Sequence, residues 1–267
     1  MRLAAFAAAG LVAATPAGYV QGRQAANGGF VEPTGSSGPQ LTAWAALGLK
    51  AAGASTGRAL DYLAAHEDEL TETTDVELVS LAESALGGRP DRLLSRIRRA
   101  QRASGAIGST VNSTMWGILA LRQAGLPAPH GAVRFVLRRQ AGSGGWSWYA
   151  GGSPDSNDTA AAIQALRAAG VAGAPVRRGL AYLLRLRNRD GGFELTPGRG
   201  SDTQSTAWAI QAFAAAHRAA PPGSLAYLRS MRRADGSFRY SRRYATTPVW
   251  VTAQVLPALA GRSFPLR

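Results

Sequence analysis

Along this chain two kinds of apolar pattern alternate. One is an Ala-rich stretch that is apolar on nearly every side, such as Thr159-Ala-Ala-Ala-Ile-Gln-Ala-Leu; the other carries a charged stripe, as from Val133 to Gln140 or Arg178 to Arg187. A helix without a polar face belongs inside a fold, and one with a charged stripe belongs on its surface. The fully apolar stretches run from Leu41 to Ala52, Val76 to Leu86, Ser113 to Ala124, Asp158 to Ala169, Ser205 to Ala216 and Val251 to Ala260. Gly53, Gly87, Gly125, Gly170 and Gly261 follow five of the six, where a left-handed C-cap favours glycine. Six inner and six outer helices in alternation predict an all-α fold, a single α/α toroid of about six helix pairs built as two concentric rings.

A second signal keeps the same register. Gly28-Gly29-Phe30, Gly105-Ala106-Ile107, Gly144-Gly145-Trp146, Gly191-Gly192-Phe193 and Gly236-Ser237-Phe238 are each followed, 7 to 14 residues later, by a threonine at the head of an apolar stretch: Thr42, Thr114, Thr159, Thr206 and Thr252. From Gly105 the turns recur at intervals of 39, 47 and 45 residues, and the 77-residue gap before it holds a sixth unit whose turn is eroded, around Arg58 to Gly87. Such a period marks helix pairs that bury their apolar faces only by stacking on neighbours. The inner ring is expected to begin at Thr42, Val76, Thr114, Asp158, Thr206 and Thr252. The long loops before those starts gather at one mouth, where function usually sits.

Composition narrows the chemistry. There is no cysteine, which excludes disulfides and thiolate ligands, and the three histidines His66, His130 and His217 are far apart, so no metal site and no cofactor is expected. The net charge of +14 comes from 30 basic residues, all arginine except Lys50, clustered on the helices that precede the turns. They read as a solvated outer wall that could meet an anionic envelope surface; without interleaved aromatics or a reading motif, nucleic acid is not an expected partner. Nine of the 16 acidic residues fall between Asp61 and Asp91, in the eroded repeat. Arg2, the apolar run Leu3 to Ala14 and Thr15-Pro16-Ala17 have the layout of a secretory signal, so residues 1–17 are expected to be a leader and 18–267 the exported domain, secreted or envelope-associated and without a membrane span.

The spacing Val133-x-Phe135-Val136 … Gln140-x-x-x-Gly144-x-Trp146, with its neighbour Arg178-Gly179-x-x-Tyr182-Leu183 … Arg187-x-x-x-Gly191-x-Phe193, resembles the QW repeat of squalene and oxidosqualene cyclases. The likeness runs over roughly residues 18 to 267 and implies the terpenoid cyclase and prenyltransferase type of toroid, a scaffold that also serves carriers and binding domains. Pro154-Asp155-Ser156-Asn157-Asp158-Thr159-Ala160 is similar to the D-x-D-D-T-A signature of class II cyclases. In that family the middle aspartate protonates an alkene or epoxide; here Asn157 stands in its place, and a carboxamide cannot deliver the proton.

Three readings follow. The first is a secreted, cyclase-like toroid without class II activity that binds a hydrophobic or amphipathic small molecule, or a protein, at the loop mouth. Its expected lining is Trp44, Asn112, Trp116, Trp146, Trp148, Tyr149, Asn157, Gln204, Trp208, Tyr240, Trp250 and Gln254. The second is a terpene cyclase using Asp155 and Asp158 as catalytic residues. The third is an envelope scaffold. In the plainest reading of the acidic stretch, Asp158 is an N-cap and Asp155 a loop residue.

Overall fold

The computed structural model describes residues 14–266. Among them are twelve α-helices, a short 3₁₀ turn and one small antiparallel hairpin, β1 (Phe193–Glu194) with β2 (Ser201–Asp202). The inner helices are α2 (Pro39–Ala51), α4 (Thr73–Ala85), α6 (Val111–Gln123), α8 (Ser156–Ala168), α10 (Thr203–Ala215) and α12 (Pro248–Leu259). The outer ones are α1 (Pro16–Gln21), α3 (Ala59–Ala65), α5 (Asp91–Arg99), α7 (His130–Arg138), α9 (Ala174–Arg185) and α11 (Ser224–Ser230). Each inner helix packs on the next and α12 packs back on α2, so the ring closes; each outer helix lies against the inner ring. At the closure, a Cβ on Gly48 would stand 2.4 Å from the Ala253 carbonyl oxygen, so the two backbones meet where only glycine fits. The toroid expected from the hydrophobic pattern is the fold.

The turn and the threonine are two halves of one contact. The threonine Oγ1 accepts the backbone N–H of the turn's apolar residue: Phe30 to Thr42 at 3.0 Å, Ile107 to Thr114 at 3.1 Å, Trp146 to Thr159 at 3.0 Å, Phe193 to Thr206 at 2.8 Å and Phe238 to Thr252 at 2.9 Å. The threonines therefore sit in the first or second turn of the inner helices rather than at their heads. The helices begin two to four residues earlier than expected, at Pro39, Thr73, Val111, Ser156, Thr203 and Pro248. The first turn glycine, such as Gly144 at φ +92°, also lies against the next outer unit, where a Cβ would stand 2.6 Å from the Arg178 carbonyl oxygen.

Six residues before each turn aromatic, a long side chain ties adjacent outer units together. Gln24 donates to the Thr56 carbonyl at 3.1 Å, Gln140 to that of Pro175 at 2.9 Å and Arg187 to that of Pro222 at 3.2 Å; Arg232 donates to the carbonyl of Ala14. That last tie joins the sixth repeat to the first. Thr15 then caps α1, its Oγ1 accepting from Gly18 N at 3.0 Å. Of the expected leader, residues 1–13 lie outside the described residues, while Ala14 and Thr15 are exposed but hydrogen-bonded to the ring and Ala17 packs against its first repeat. Several wall arginines, among them Arg58, Arg138 and Arg185, likewise donate to carbonyls of the preceding unit's turn.

Candidate functional site

The N-terminal ends of the inner helices converge on one mouth, and there most of the expected lining residues meet. A cavity of about 340 Å³ is walled by Trp44 from α2, Asn112 and Trp116 from α6, and Asn157, Asp158 and Ala161 from α8. Gln204 and Trp208 of α10 and Trp250 and Gln254 of α12 complete the ring, with Asp155, Trp148 and Leu195 at its rim. A second lobe of about 450 Å³ shares Trp44 and Trp250 and reaches Glu32 and Gln40. Three of the expected residues stand elsewhere. Trp146 is fully buried between the rings, its Nε1 donating to the Val136 carbonyl at 2.7 Å, because the turn needs a large staple there. Tyr149 projects into solvent with 60% of its surface exposed. Tyr240 packs against the apolar cluster between α10, α11 and α12 rather than lining the cavity.

The cavity floor is aromatic. Trp44, Trp116 and Trp208, from alternate inner helices, meet edge to face with centroids 5.5 to 5.9 Å apart, a geometry that suits the ring quadrupoles. From the opposite end of the ring the C-terminal tail inserts Phe264, 6.2 to 6.4 Å from all three. Gln164 Oε1 accepts Phe264 N at 2.8 Å, and Gln123 brackets Leu266 through both its amide atoms. The tail thus seals the far side of the lumen. Leu195, Ala161 and Phe264 were not among the expected residues; only Leu195, two residues past a turn aromatic like Trp148, carried a positional signal.

The helix heads are closed by a rule that the sequence did not display. The residue two past each turn aromatic covers the preceding inner helix: the Trp148 carbonyl accepts from Val111 N and Asn112 N, that of Leu195 from Ser156 N and that of Tyr240 from Thr203 N. In the first repeat the Glu32 carboxylate does this for α12, accepting from Val249 N at 3.0 Å and Trp250 N at 2.9 Å. Within the acidic stretch the expected roles are exchanged. Asp155 is the N-cap of α8, its Oδ1 accepting Asp158 N at 2.8 Å, just as Thr110 caps α6 and Asp202 caps α10. Asp158, the third residue of α8 and only 4% exposed, takes the Asn112 amide at 2.6 Å instead. Gln40 and Asp75 repeat that amide-to-carboxylate link at 2.9 Å between α2 and α4. Burial first, and then the Asp155 carboxylate, push the Asp158 carboxyl up to about 8 against the pull of Asn112, so at neutral pH it holds its proton.

Asn157 occupies the second helical position of α8, as Gln40, Asn112 and Gln204 do in α2, α6 and α10. It belongs to a repeated ring of neutral amides. Among the described residues no three His, Cys, Asp or Glu side chains are grouped to hold a metal, and no helix is long and apolar enough to cross a membrane.

This architecture is an α/α toroid with the fold seen in type II terpene cyclases. The chain superimposes over 92% of its length on a protein from Actinoplanes (97% of that chain, 21% identity, TM-score 0.71). It does so equally on a variant of the type II terpene cyclase MstE from Scytonema in complex with geranylgeranyl dihydroxybenzoate (95% of that chain, 13% identity, TM-score 0.69). Against ent-copalyl diphosphate synthase from Streptomyces platensis the match spans 84% of this chain and 50% of that one, at 21% identity and TM-score 0.58. No family model matches the chain, and no curated protein matches it by sequence. At these identities the likeness establishes the fold alone.

Proposed function

We propose that the toroid is a binding protein for an apolar or amphipathic small molecule, held in the mouth cavity, and that it does not initiate cyclisation by protonation. The observation that carries this reading is the state of the acidic stretch above an aromatic cavity. Asn157 stands where the class II signature has its acid; Asp155 is committed to the helix cap. Asp158 keeps its proton, as a general acid must, but it stands one residue past the signature's acid position and its carboxyl is engaged by the Asn112 amide. Its bond to Asn112 also has a counterpart at Gln40 and Asp75, which supports a structural role. Concave aromatic walls with a few convergent polar groups are the usual make-up of a small-molecule site. The test is product analysis after incubating purified protein with squalene and a panel of polyprenyl diphosphates. Substrate recovered unchanged is the expected result; cyclised product that disappears in Asp155→Asn or Asp158→Asn would make the protein a cyclase.

We further propose that the protein is exported by way of the Leu3 to Ala14 run, with cleavage before Ala14. Cleavage at Gly18 would remove the Ala14 carbonyl that Arg232 uses and the Thr15 cap of α1, loosening the outer tie between the last and first repeats while α12 stays packed on α2. N-terminal sequencing of the mature protein checks this, and a terminus at Gly18 would overturn the placement.

A further inference from the structure

Five of the chain's six tryptophans face the mouth cavity, in company with Asp155 and Asp158. Neither lobe is lined by a lysine, arginine or histidine, although the chain carries 30 Lys and Arg. A basic protein has excluded every cation from the one surface where its indoles gather. Taking the binding reading above as its premise, we infer that the cavity selects a positively charged organic ligand, an alkylammonium or quaternary ammonium group on an apolar body, through an indole cage closed by carboxylates.

The competing field comes from the inner helices, whose N-terminal ends favour anions where their N–H groups are free. At the heads of α6, α8, α10 and α12 many of these groups are taken, whereas α2 has no side-chain cap. The carbonyls of Trp148, Leu195 and Tyr240 and the carboxylates of Asp155, Asp202 and Glu32 accept them, so those four heads turn oxygen towards a ligand. Indole faces attract a desolvated cation, and the effect grows as water is excluded. Among the described residues Trp148 and Trp250 stack on no other ring, which leaves their faces to a ligand. The buried wall also keeps an unpartnered acceptor, Asn112 Oδ1, and an unpartnered donor, Gln254 Nε2. Unpaired buried polar atoms are costly, and both lie on the cavity where a ligand's own polar atoms would meet them.

Benzyltrimethylammonium, its neutral carbon isostere neopentylbenzene and the anion geranyl diphosphate separate the alternatives, with quenching of tryptophan fluorescence as the readout. The cation should bind about tenfold more tightly than the isostere. Asp155→Asn, whose amide oxygen preserves the cap, should remove most of that preference and leave the isostere unchanged. Trp148→Ala gives a second variant, because its backbone carbonyl still covers α6; it should weaken the cation without lowering Tm. Affinity for the cation should also tighten between pH 7 and 9 as Asp158 loses its proton. Asp155 is the titratable group facing Asp158, and α6 and α10 turn only Asn112, Trp116, Gln204 and Trp208 to the same cavity. Equal binding of cation and isostere would overturn the charge selection and leave the apolar-ligand reading intact. Preference for geranyl diphosphate would overturn the selection in favour of an anionic ligand. Binding of none of the three overturns both readings.

Discussion

The second and fourth repeats both place carboxyls inside the ring, and they handle them in opposite ways. In the fourth, Asp158 has an amide partner, a capping aspartate beside it and a cavity in front. In the second, Glu77 on α4 is fully buried with neither oxygen bonded among the described residues, and burial first, then the nearby Glu67 of the 3₁₀ turn, raise the Glu83 carboxyl on the same helix. The second repeat also lacks the Gly-rich turn, and Val76 stands where the other repeats have their threonine. A repeat that gives up its turn loses the contact that fixes loop to helix; here its buried carboxyls Glu77 and Glu83 lie between elements, and only Asp75 keeps the amide link seen in the fourth repeat.

The largest expected effect is on stability against pH. Asp158 and Glu83 are each raised to about 8, Asp202 to about 6, and burial lifts Glu77 well above the carboxylate range. In each case the native state binds a proton that the unfolded chain has released, so between about pH 4 and 8 stability falls as pH rises. A tenfold difference in proton affinity between the folded and unfolded chain is worth about 1.4 kcal/mol, so the raised carboxyls together set the direction of that fall. Thermal unfolding should give a clearly higher Tm at pH 5 than at pH 9. Glu77→Gln should flatten the slope more than Asp158→Asn does, since Asp158 reaches cavity water and Glu77 reaches none; equal flattening would erase the distinction between the two repeats.

Next in size is the staple. Trp146→Ala, which empties a fully buried indole site, should cost roughly 3–5 kcal/mol by urea unfolding. Thr159→Val should cost about 1–3 kcal/mol, because it leaves Trp146 N buried without an acceptor. The reverse change in the second repeat, Val76→Thr, should gain nothing, there being no turn N–H to receive. A stabilising Val76→Thr would show that the second repeat keeps a hidden version of the contact.

Glycine and threonine made the ring legible. Both are chemically specific at their positions, one for a left-handed turn pressed against a backbone, the other for a hydroxyl acceptor, so their recurrence alone carries the register of the units. The hydrophobic pattern sorted inner from outer helices for the same reason. Side-chain direction was less accessible. Trp146 and Trp148 are two residues apart and chemically alike, yet one staples the rings and the other opens on the mouth; that choice is made by the Thr159 contact and by the Trp148 carbonyl lying over α6. Asp155 and Asp158 were exchanged for a similar cause, since either aspartate can cap and only the start of α8 decides. Phe264 follows the last helix without periodicity, and nothing local announces that it ends among three indoles.

The smallest expected effect falls on the residue that decides the functional reading. Asn157→Asp restores the aspartate pattern at the second position of α8, where a negative charge gains from the helix dipole by about 0.3–1 kcal/mol. Repulsion from Asp155 and Asp158 opposes that gain, so the net change in stability should stay within about 1 kcal/mol and Tm should barely move. The variant's third carboxylate should drive the Asp158 pKa higher still, visible as a steeper loss of stability above pH 7. Cyclisation should not appear. Protonating an alkene requires an acid aimed at a double bond lying in the cavity, and the floor formed by Trp44, Trp116, Trp208 and Phe264 closes the lumen through which a long polyene would have to thread. Removal of Phe264 by Phe264→Ala in the same background is therefore the sharper measurement. Product from the double variant, with none from Asn157→Asp alone, would show that the tail and the amide together separate this toroid from its cyclase neighbours; product from the single variant would show that position 157 alone does.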